Sequence, residues 1–144
     1  MKKITIALVL SVLLNTGCNK AKEDSSVVST LYLKVFGIEN TNDATPVVVE
    51  AIKKCKKDGI VKLEFPKGIY HFYPTFAPDM YCAITNNDNG LKRTAFPIID
   101  FDKLEIDGNG SEFIFHGKMV PFIIEGSKNI TIKNLNINSK ATVI

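Results

Sequence analysis

Short runs in which apolar and polar residues alternate recur along most of the chain after residue 30. A period of two places the apolar side chains on one face, which is typical of half-buried β-strands. The runs are separated by glycine, proline, asparagine and aspartate, which favour turns. The pattern predicts short strands at 31–36, 61–65, 69–73, 103–106, 113–115, 121–124, 130–132 and 135–137.

One segment follows a helical period instead. Asp43 or Thr45 can cap a helix start, and Pro46 suits the first helical turn. Gly59 is typical of a helix end. Between them, apolar residues three or four positions apart form one stripe, made of Val48, Ala51, Ile52 and Cys55. The segment therefore predicts a short α-helix that caps a mainly β domain.

The later strands repeat. The apolar pair Leu104 and Ile106 recurs as Ile130 and Ile132 about 26 positions later, within the range of solenoid repeats. Short strands separated by asparagine and glycine, which tolerate left-handed conformations, favour a parallel β-helix. A β-sandwich is the alternative. The β-helix predicts one interior lined by Ile106, Phe113, Phe115, Ile130, Ile132, Leu135 and Ile137, with Glu105, Thr131 and Asn136 outside.

The first residues have the features of an export signal. Lys2 and Lys3 precede an apolar run at 4–14 that is too short to span a bilayer and has the size of a signal-peptide core. Gly17 and Cys18 then resemble a bacterial lipobox, which predicts lipidation of Cys18. A plain secretory signal with an incidental cysteine is the alternative.

These features divide the chain into a signal peptide at 1–17, a flexible tether at 18–30 and a folded domain at 31–144. The acidic pair at 23–24 resembles a surface-export tag that some Gram-negative lipoproteins carry. We therefore expect an exported protein, lipid-anchored at the outer membrane or cell surface of a Gram-negative bacterium. The periplasm is the second choice.

Composition and charge limit the classes of ligand that the protein can be expected to bind. Loss of the signal peptide leaves 16 of the 18 basic residues against 15 acidic ones, so the net charge falls from +3 to +1. Nucleic-acid binding has no support without a basic stripe. No Cys/His spacing typical of a metal site occurs, and we expect no metal and no cofactor. Cys55 and Cys82 can form a disulfide after export, but a buried Cys55 thiol is the alternative.

The segment at 81–93 carries the main candidate for a binding site. Five consecutive turn-forming residues at 86–90 precede Lys92 and Arg93. Carboxylate, carboxamide and guanidinium groups together suit the hydroxyls of a sugar. A structural connection needs roughly two to six residues and rarely concentrates so many polar groups. A plain surface loop is the alternative.

Three segments carry a resemblance to known proteins. Residues 64–74 resemble the opening of pectate-lyase-like β-helix proteins, and residues 81–97 and 106–122 resemble glycoside hydrolase family 110. Members of that family are secreted α-1,3-galactosidases with a right-handed parallel β-helix, and some act on blood-group B antigen ends. The resemblance, over about 31–138, implies the N-terminal rungs of such a β-helix behind a short capping helix, with galactose-terminated glycans as partners.

The resemblance also bears on the candidate site. Asp88, Asn89, Arg93 and His116 are the predicted substrate-binding residues. Turn formation, surface charge and a corner position are their structural alternatives. Where the family has a His-Asp-Asn-Gly run, this chain has Asn87 in place of the histidine, and if that histidine contacts sugar the change would weaken or retune binding.

The implied chemistry is an inverting hydrolysis, in which one carboxylic acid protonates the departing oxygen while a carboxylate about 6.5–9.5 Å away activates water. The resemblance implies that the catalytic aspartates lie on later rungs, beyond Ile144, so no catalytic residue is assigned. We expect the N-terminal part of a longer enzyme, inactive alone. No neighbour marks any of the acids considered as catalytic: Asp88, Asp100, Asp102, Asp107, Glu112 and Glu125.

Two other classes of protein share the expected fold. A non-catalytic carbohydrate-binding or adhesin module would keep the binding groups without the catalytic pair. A polysaccharide lyase would need an acidic Ca²⁺ cluster and a basic proton acceptor, and no such cluster is visible in the sequence.

Overall fold

A computed structural model describes residues 28–83 and 89–140 of the chain. The predicted signal peptide, Cys18, most of the predicted tether and Asp88 lie outside these residues. The described part is mainly β, with a single α-helix. The elements are β1 Thr30–Tyr32, α1 Thr45–Asp58, β2 Lys62–Glu64, β3 Ile69–Phe72, β4 Asp79–Cys82, β5 Gly90–Ile99, β6 Leu104–His116, β7 Val120–Glu125 and β8 Ile130–Lys140.

Most of the strands pair in parallel. Leu31 of β1 lies beside Leu63 of β2, which lies beside Ile106 of β6, and Ile106 lies beside Ile132 of β8. β3 pairs in parallel with the second half of β6, and β5 pairs in parallel with β7. Between paired strands the chain must therefore travel back to the same end of the stack. An antiparallel β-sandwich is contradicted, because β5–β7 and β6–β8 are both parallel.

The two longest strands of the stack bend at residues with a left-handed backbone. β6 joins two predicted strands into one element, and its register with β8 is interrupted after Asp107, where Asn109 has φ 51° and Gly110 has φ 75°. β8 likewise joins the last two predicted strands, and Asn134 has φ 56°. Asparagine and glycine adopt this conformation at low cost. The predicted corner near Asn134 is confirmed.

The strand predicted at 31–36 is shorter than expected. β1 ends at Tyr32, and Leu33–Phe36 form a 3₁₀ helix that ends at Gly37 with φ 70°. Leu33 is buried whereas Val35 is 77% exposed. The sequence does alternate here, but its second and third apolar residues do not share a buried strand face.

The segment predicted as a loop at 81–93 is partly a β-hairpin. β4 and β5 pair antiparallel, with Cys82 opposite Gly90. The connection between them is therefore confined to residues 83–89. β5 contains the buried residues Thr94, Ala95 and Phe96 in succession, so its sequence lacks the alternation that marks a half-buried strand.

The helix start is joined to the end of β3. The N-cap position is Ala44 rather than the predicted Asp43 or Thr45, and Asp43 Oδ1 accepts a hydrogen bond from the Thr45 N–H at 2.9 Å. The buried Thr45 hydroxyl donates to the Tyr73 carbonyl at 3.1 Å and accepts from the Tyr73 N–H at 2.9 Å. At the other end, the N–H of left-handed Gly59 donates to the Cys55 carbonyl, which closes the helix as predicted.

Stacked aromatic rings form much of the core. Phe113 lies with its ring centre 4.7 Å from that of Phe65 and 5.3 Å from that of Phe72. The predicted interior positions Ile106, Phe113 and Phe115 are buried. Three more, in β8, are half-buried and pack against this core: Ile130, Ile132 and Leu135.

The interior prediction is wrong for Ile137, which is 50% exposed. Ile137 lies beside Phe113, but β8 pairs with β6 on one side and with no other described strand. Glu105, Thr131 and Asn136, predicted to lie outside, are not buried. The alternation therefore identified the correct faces, and the position of β8 in the stack determines how much of each face is covered.

The two cysteines of the described part are both free thiols. Cys55 is buried under the helix, and burial raises the pKa of its thiol to about 11. The buried-thiol alternative is confirmed for Cys55. Among the described residues, no helix has the length and apolar character needed to cross a membrane.

Candidate functional site

An open groove of about 650 Å³ lies beside the β4–β5 hairpin, where the turn after β6 meets the start of β7. Its volume is within the range of about 300–1,000 Å³ that is typical of small-molecule sites. The hairpin supplies one wall and the turn supplies the other. The described residues that line it are Asp79, Leu91, Lys92, Arg93, Lys118, Met119 and Val120.

The register of the hairpin puts four side chains on one face. Asp79 lies opposite Arg93, and Tyr81 lies opposite Leu91. Opposite residues in an antiparallel pair share a face, as do residues two positions apart on one strand. Tyr81 and Leu91 are each 68% exposed. Exposed apolar side chains grouped beside polar ones are typical of a binding surface, and an aromatic ring can stack on the C–H face of a sugar.

Arg93 is positioned by its cross-strand neighbour. Its Nε donates a hydrogen bond to Asp79 Oδ1 at 3.1 Å, and both side chains are 51% exposed. Because this bond uses Nε, the terminal nitrogens of the guanidinium keep N–H donors for a ligand. The ion pair is too exposed to add much stability, but it limits the directions in which Arg93 can point.

The structure places one of the four predicted substrate-binding residues in the groove. Arg93 lines it, and Asn89 directly precedes β5 at the loop end of the hairpin. Asp88 lies outside the described residues. His116 ends β6 just before the turn that lines the groove, but its ring contacts a different set of residues. Asp79, which the structure brings to Arg93, was not predicted.

His116 belongs to a stack of three rings where β3 and β6 end. Its Nε2 lies 2.8 Å from His71 Nδ1, a hydrogen bond in which one imidazole donates and the other accepts. The ring of Tyr73 stacks on His116, with ring centres 4.3 Å apart and planes 8° from parallel. His71 and Tyr73 were not predicted, although alternation at 69–73 places both on one face of the strand.

The ring stack favours an uncharged His116. Burial lowers the pKa of His116, and electrostatic interaction with His71 and Lys140 lowers it further, against the opposite effect of Asp43. With Nε2 bonded to His71, Nδ1 is the nitrogen through which His116 can reach a ligand. His116 does lie at a corner, as the alternative to a binding role supposed. Its ring nevertheless contacts His71 and Tyr73.

No protein-family model matches the chain. Curated proteins match it along most of its length. It is 36% identical over 142 residues to α-1,3-galactosidase A of Shewanella woodyi, a match covering 96% of this chain and 23% of that protein. It is 33% identical over 124 residues to α-1,3-galactosidase B of Akkermansia muciniphila, covering 85% of this chain and 15% of that protein. The chain belongs to the α-1,3-galactosidase family.

A third relative, α-1,3-galactosidase B of Bacteroides thetaiotaomicron, is 40% identical over 106 residues, covering 72% of this chain and 17% of that protein. The resemblance to glycoside hydrolase family 110 is thus confirmed. The chain spans less than a quarter of the length of these curated relatives. The chain therefore corresponds to only part of each of these three relatives.

One candidate acid of this α-1,3-galactosidase family chain is a structural corner residue. Asp107 Oδ1 accepts hydrogen bonds from Asn134 Nδ2 at 3.0 Å and from the Asn109 N–H at 3.1 Å. Burial raises the pKa of Asp107, but these bonds and the nearby Lys62 and Lys133 outweigh it, so the pKa lies below its ordinary value. Asp107 is therefore ionised and committed to the bend between β6 and β8.

The groove itself contains a single carboxylate among its described lining residues, that of Asp79. It is already paired with Arg93. Glu112, another acid considered above, accepts a hydrogen bond from Asn138 Nδ2 at 2.5 Å on the β6–β8 pair. Within residues 28–83 and 89–140, no group of three or more His, Cys, Asp and Glu side chains is arranged to hold a metal ion. The described groove thus offers binding groups rather than an acid–base pair.

Proposed function

We propose that this chain forms part of an exported glycosidase that removes terminal α-1,3-linked galactose by inverting hydrolysis. The observation that carries the proposal is similarity, over most of the chain, to proteins named α-1,3-galactosidase in three bacterial genera. The groove supports it, because an exposed ring beside guanidinium and amine groups suits a sugar. Its ligands would be galactose-terminated glycans.

We also propose that the domain at 31–144 is the beginning of a right-handed parallel β-helix capped by α1. The parallel stack of β1, β2, β6 and β8 supports this architecture, as does the separate parallel pair of β5 and β7. Left-handed asparagines at the bends are compatible with coils that turn sharply. The apolar stripe of α1 lies in the same core as the phenylalanine stack, as a capping helix would.

In the proposed binding mode, a galactose unit stacks on the exposed ring of Tyr81. The terminal nitrogens of Arg93 donate to its hydroxyls. Asn89, which directly precedes β5, and Asp88, its neighbour in the sequence, are included as further hydrogen-bonding groups. His116 is included through Nδ1, since its Nε2 is bonded to His71. These assignments bring both the hairpin and the end of β6 to one ligand.

The catalytic groups are assigned elsewhere. Inversion requires an acid and a base carboxylate about 6.5–9.5 Å apart, with water between the base and the sugar. Asp79 is the described groove carboxylate, and it already accepts a hydrogen bond from Arg93 with no second carboxylate among the described lining residues. We propose that both catalytic carboxylates come from the part of a whole family member that this chain does not span.

A chimera tests the activity. In it, this chain replaces the 142 matched residues of the Shewanella woodyi protein. We expect the chimera to release galactose from an α-1,3-linked galactoside and the 144-residue chain alone to release none. Turnover by the chain alone would mean that its own residues supply the acid and the base. Binding without turnover by either protein would instead favour a non-catalytic carbohydrate-binding module, which also fits the single carboxylate among the described lining residues of the groove.

The same chimera tests the binding mode. Tyr81→Ala should raise KM about fivefold, because it removes an exposed stacking surface worth roughly 1 kcal/mol. Tyr32→Ala is the matched control, since Tyr32 is also exposed, at 54%, but lies in β1 away from the hairpin. Equal KM values for the two variants would remove Tyr81 from the site.

We propose that the mature protein begins at Cys18 and is held at the outer membrane or cell surface by a lipid on that residue, with the periplasm as the second location. The motive is the sequence of Lys2, Lys3, the apolar run and Gly17 before Cys18. Cys18→Ser should move the protein from the membrane fraction to the soluble fraction of the native host. Cys82→Ser is the control, and membrane association that survives in Cys18→Ser would contradict lipidation.

A further inference from the structure

We propose that the groove beside the β4–β5 hairpin contains a subsite for an anionic group, a sulfate ester or a carboxylate, carried by the glycan. The inference rests on the proposed function, since it adds a charged substituent to the galactose-containing ligand. It concerns residues on both walls of the groove: Lys92 and Arg93 on β5, and Lys118 in the turn before β7.

The charge of the groove carries the inference. Its described lining contains three cations and one carboxylate, Asp79. The undescribed residues at 84–88 add a single acid, Asp88, and no cation. Even if Asp88 lay against the groove, the residues from Asp79 to Val120 would keep one positive charge in excess there. A neutral sugar makes no use of that excess, whereas a sulfate or carboxylate would.

Some lysines of the described chain form ion pairs, whereas others, such as Lys53, Lys57 and Lys103, form none. Lys54 pairs with Asp58 at 2.7 Å, and Lys62 pairs with Glu64 at 2.9 Å. Within the described residues, by contrast, neither Lys92 nor Lys118 forms an ion pair. Both line a concave surface of about 650 Å³ instead of standing on a convex face. A concavity lined by one sign of charge raises the local concentration of the opposite ion.

Arg93 adds direction to this charge. Asp79 holds its Nε at 3.1 Å, which leaves the planar fork of the terminal nitrogens to meet two oxygens of an anion. The guanidinium is thus oriented before the ligand arrives, so less side-chain entropy is lost on binding. Two lysines without described ion-pair partners and one oriented arginine form a recognition set for an oxyanion, next to the exposed ring of Tyr81.

The test measures binding by the 144-residue chain of four probes: neutral galactose-α-1,3-galactose, the same disaccharide with a sulfate ester, the same disaccharide with a carboxylate, and inorganic sulfate. We expect the chain to bind an anionic disaccharide about tenfold more tightly than the neutral one. Raising the salt concentration should reduce that preference, because exposed charges are screened beyond about 8 Å at physiological ionic strength.

Variants connect the preference to the groove. Lys118→Met should reduce the ratio of anionic to neutral affinity several-fold, and Lys118→Arg should restore it. Lys57→Met, on the exposed face of α1, should keep the ratio of the unchanged protein. If Lys118→Met and Lys57→Met changed the ratio of anionic to neutral affinity equally, the subsite would be overturned. The preference would then reflect the overall charge of the protein.

The probes separate failure of the subsite from failure of the proposed function. Preference for the sulfated or for the carboxylated disaccharide alone would support the subsite and identify its anion. Binding of the neutral disaccharide with no preference for either anionic form would overturn the subsite and leave the proposed function intact. Binding of none of the three disaccharides would contradict the proposed binding role of the chain. Inorganic sulfate that binds as tightly as the sulfated sugar would overturn the subsite.

Discussion

Replacing Phe113 by alanine is expected to lower the free energy of unfolding by about 3–5 kcal/mol. Phe113 is fully buried, and its ring lies against those of Phe65, Phe72 and Phe96, with centres 4.7, 5.3 and 5.8 Å away. These rings come from four different segments of the chain. Removing the Phe113 ring would leave a cavity between the other three rings. Strands held by parallel hydrogen bonds cannot readily close such a cavity.

Urea denaturation of the 144-residue chain measures this effect, with Phe76→Ala as the control. Phe76 is 63% exposed, so its truncation removes little buried area, and a change of about 0.5 kcal/mol or less is expected. A loss below about 1 kcal/mol in Phe113→Ala would mean that its ring does not occupy the core described here.

Gly108→Ala is expected to destabilise the protein by about 1–3 kcal/mol or more. A methyl group on Gly108 would lie 2.5 Å from Leu135 Cβ and 2.7 Å from the backbone oxygen of Asn134. The second contact is with backbone, which cannot rotate away. The close approach occurs where the register between β6 and β8 is interrupted. Adding one carbon there would push the two strands apart at their bend.

Gly90→Ala is expected to change the stability in the opposite direction. No atom lies within 4 Å of a methyl group placed on Gly90. Replacing glycine by alanine without strain restricts the unfolded chain and typically stabilises by about 0.4–1 kcal/mol. Thermal unfolding of the two variants should therefore shift the melting temperature in opposite directions. A Gly108→Ala protein as stable as Gly90→Ala would contradict the close packing of β8 on β6.

Much of the fold is predictable because it depends on local periodicity. Strict alternation at Leu104–Ile106 and Ile130–Ile132 identified the faces that meet in the core, and the 26-residue spacing identified which strands pair. The corner at Asn134 follows from a residue type that tolerates a left-handed backbone. Alternation did not predict the 3₁₀ helix at Leu33–Phe36. The types of the apolar residues do not indicate which of these residues other parts of the chain will cover.

The candidate site is less predictable because it depends on register between distant segments. Arg93 was predicted from its residue type, but its partner Asp79 is fixed by the antiparallel pairing of β4 and β5. His71 and His116 are 45 residues apart and meet because β3 and β6 run in parallel. Lys118 enters the groove through the turn after β6. A single sequence without the paired register does not bring these side chains together.

The spacing of the parallel stack also has a consequence for how the chain assembles. β6 and β8 join residues 26 positions apart, such as Leu104 and Ile130, whereas β2 and β6 join residues 43 apart, such as Lys62 and Glu105. The difference in chain entropy between closing these two loops is only about 0.4 kcal/mol. Loop length therefore does not decide which of these two strand pairs forms first. The order depends instead on the side chains that pack beside each strand pair, so the phenylalanine-rich core can begin folding before either end of the stack has formed.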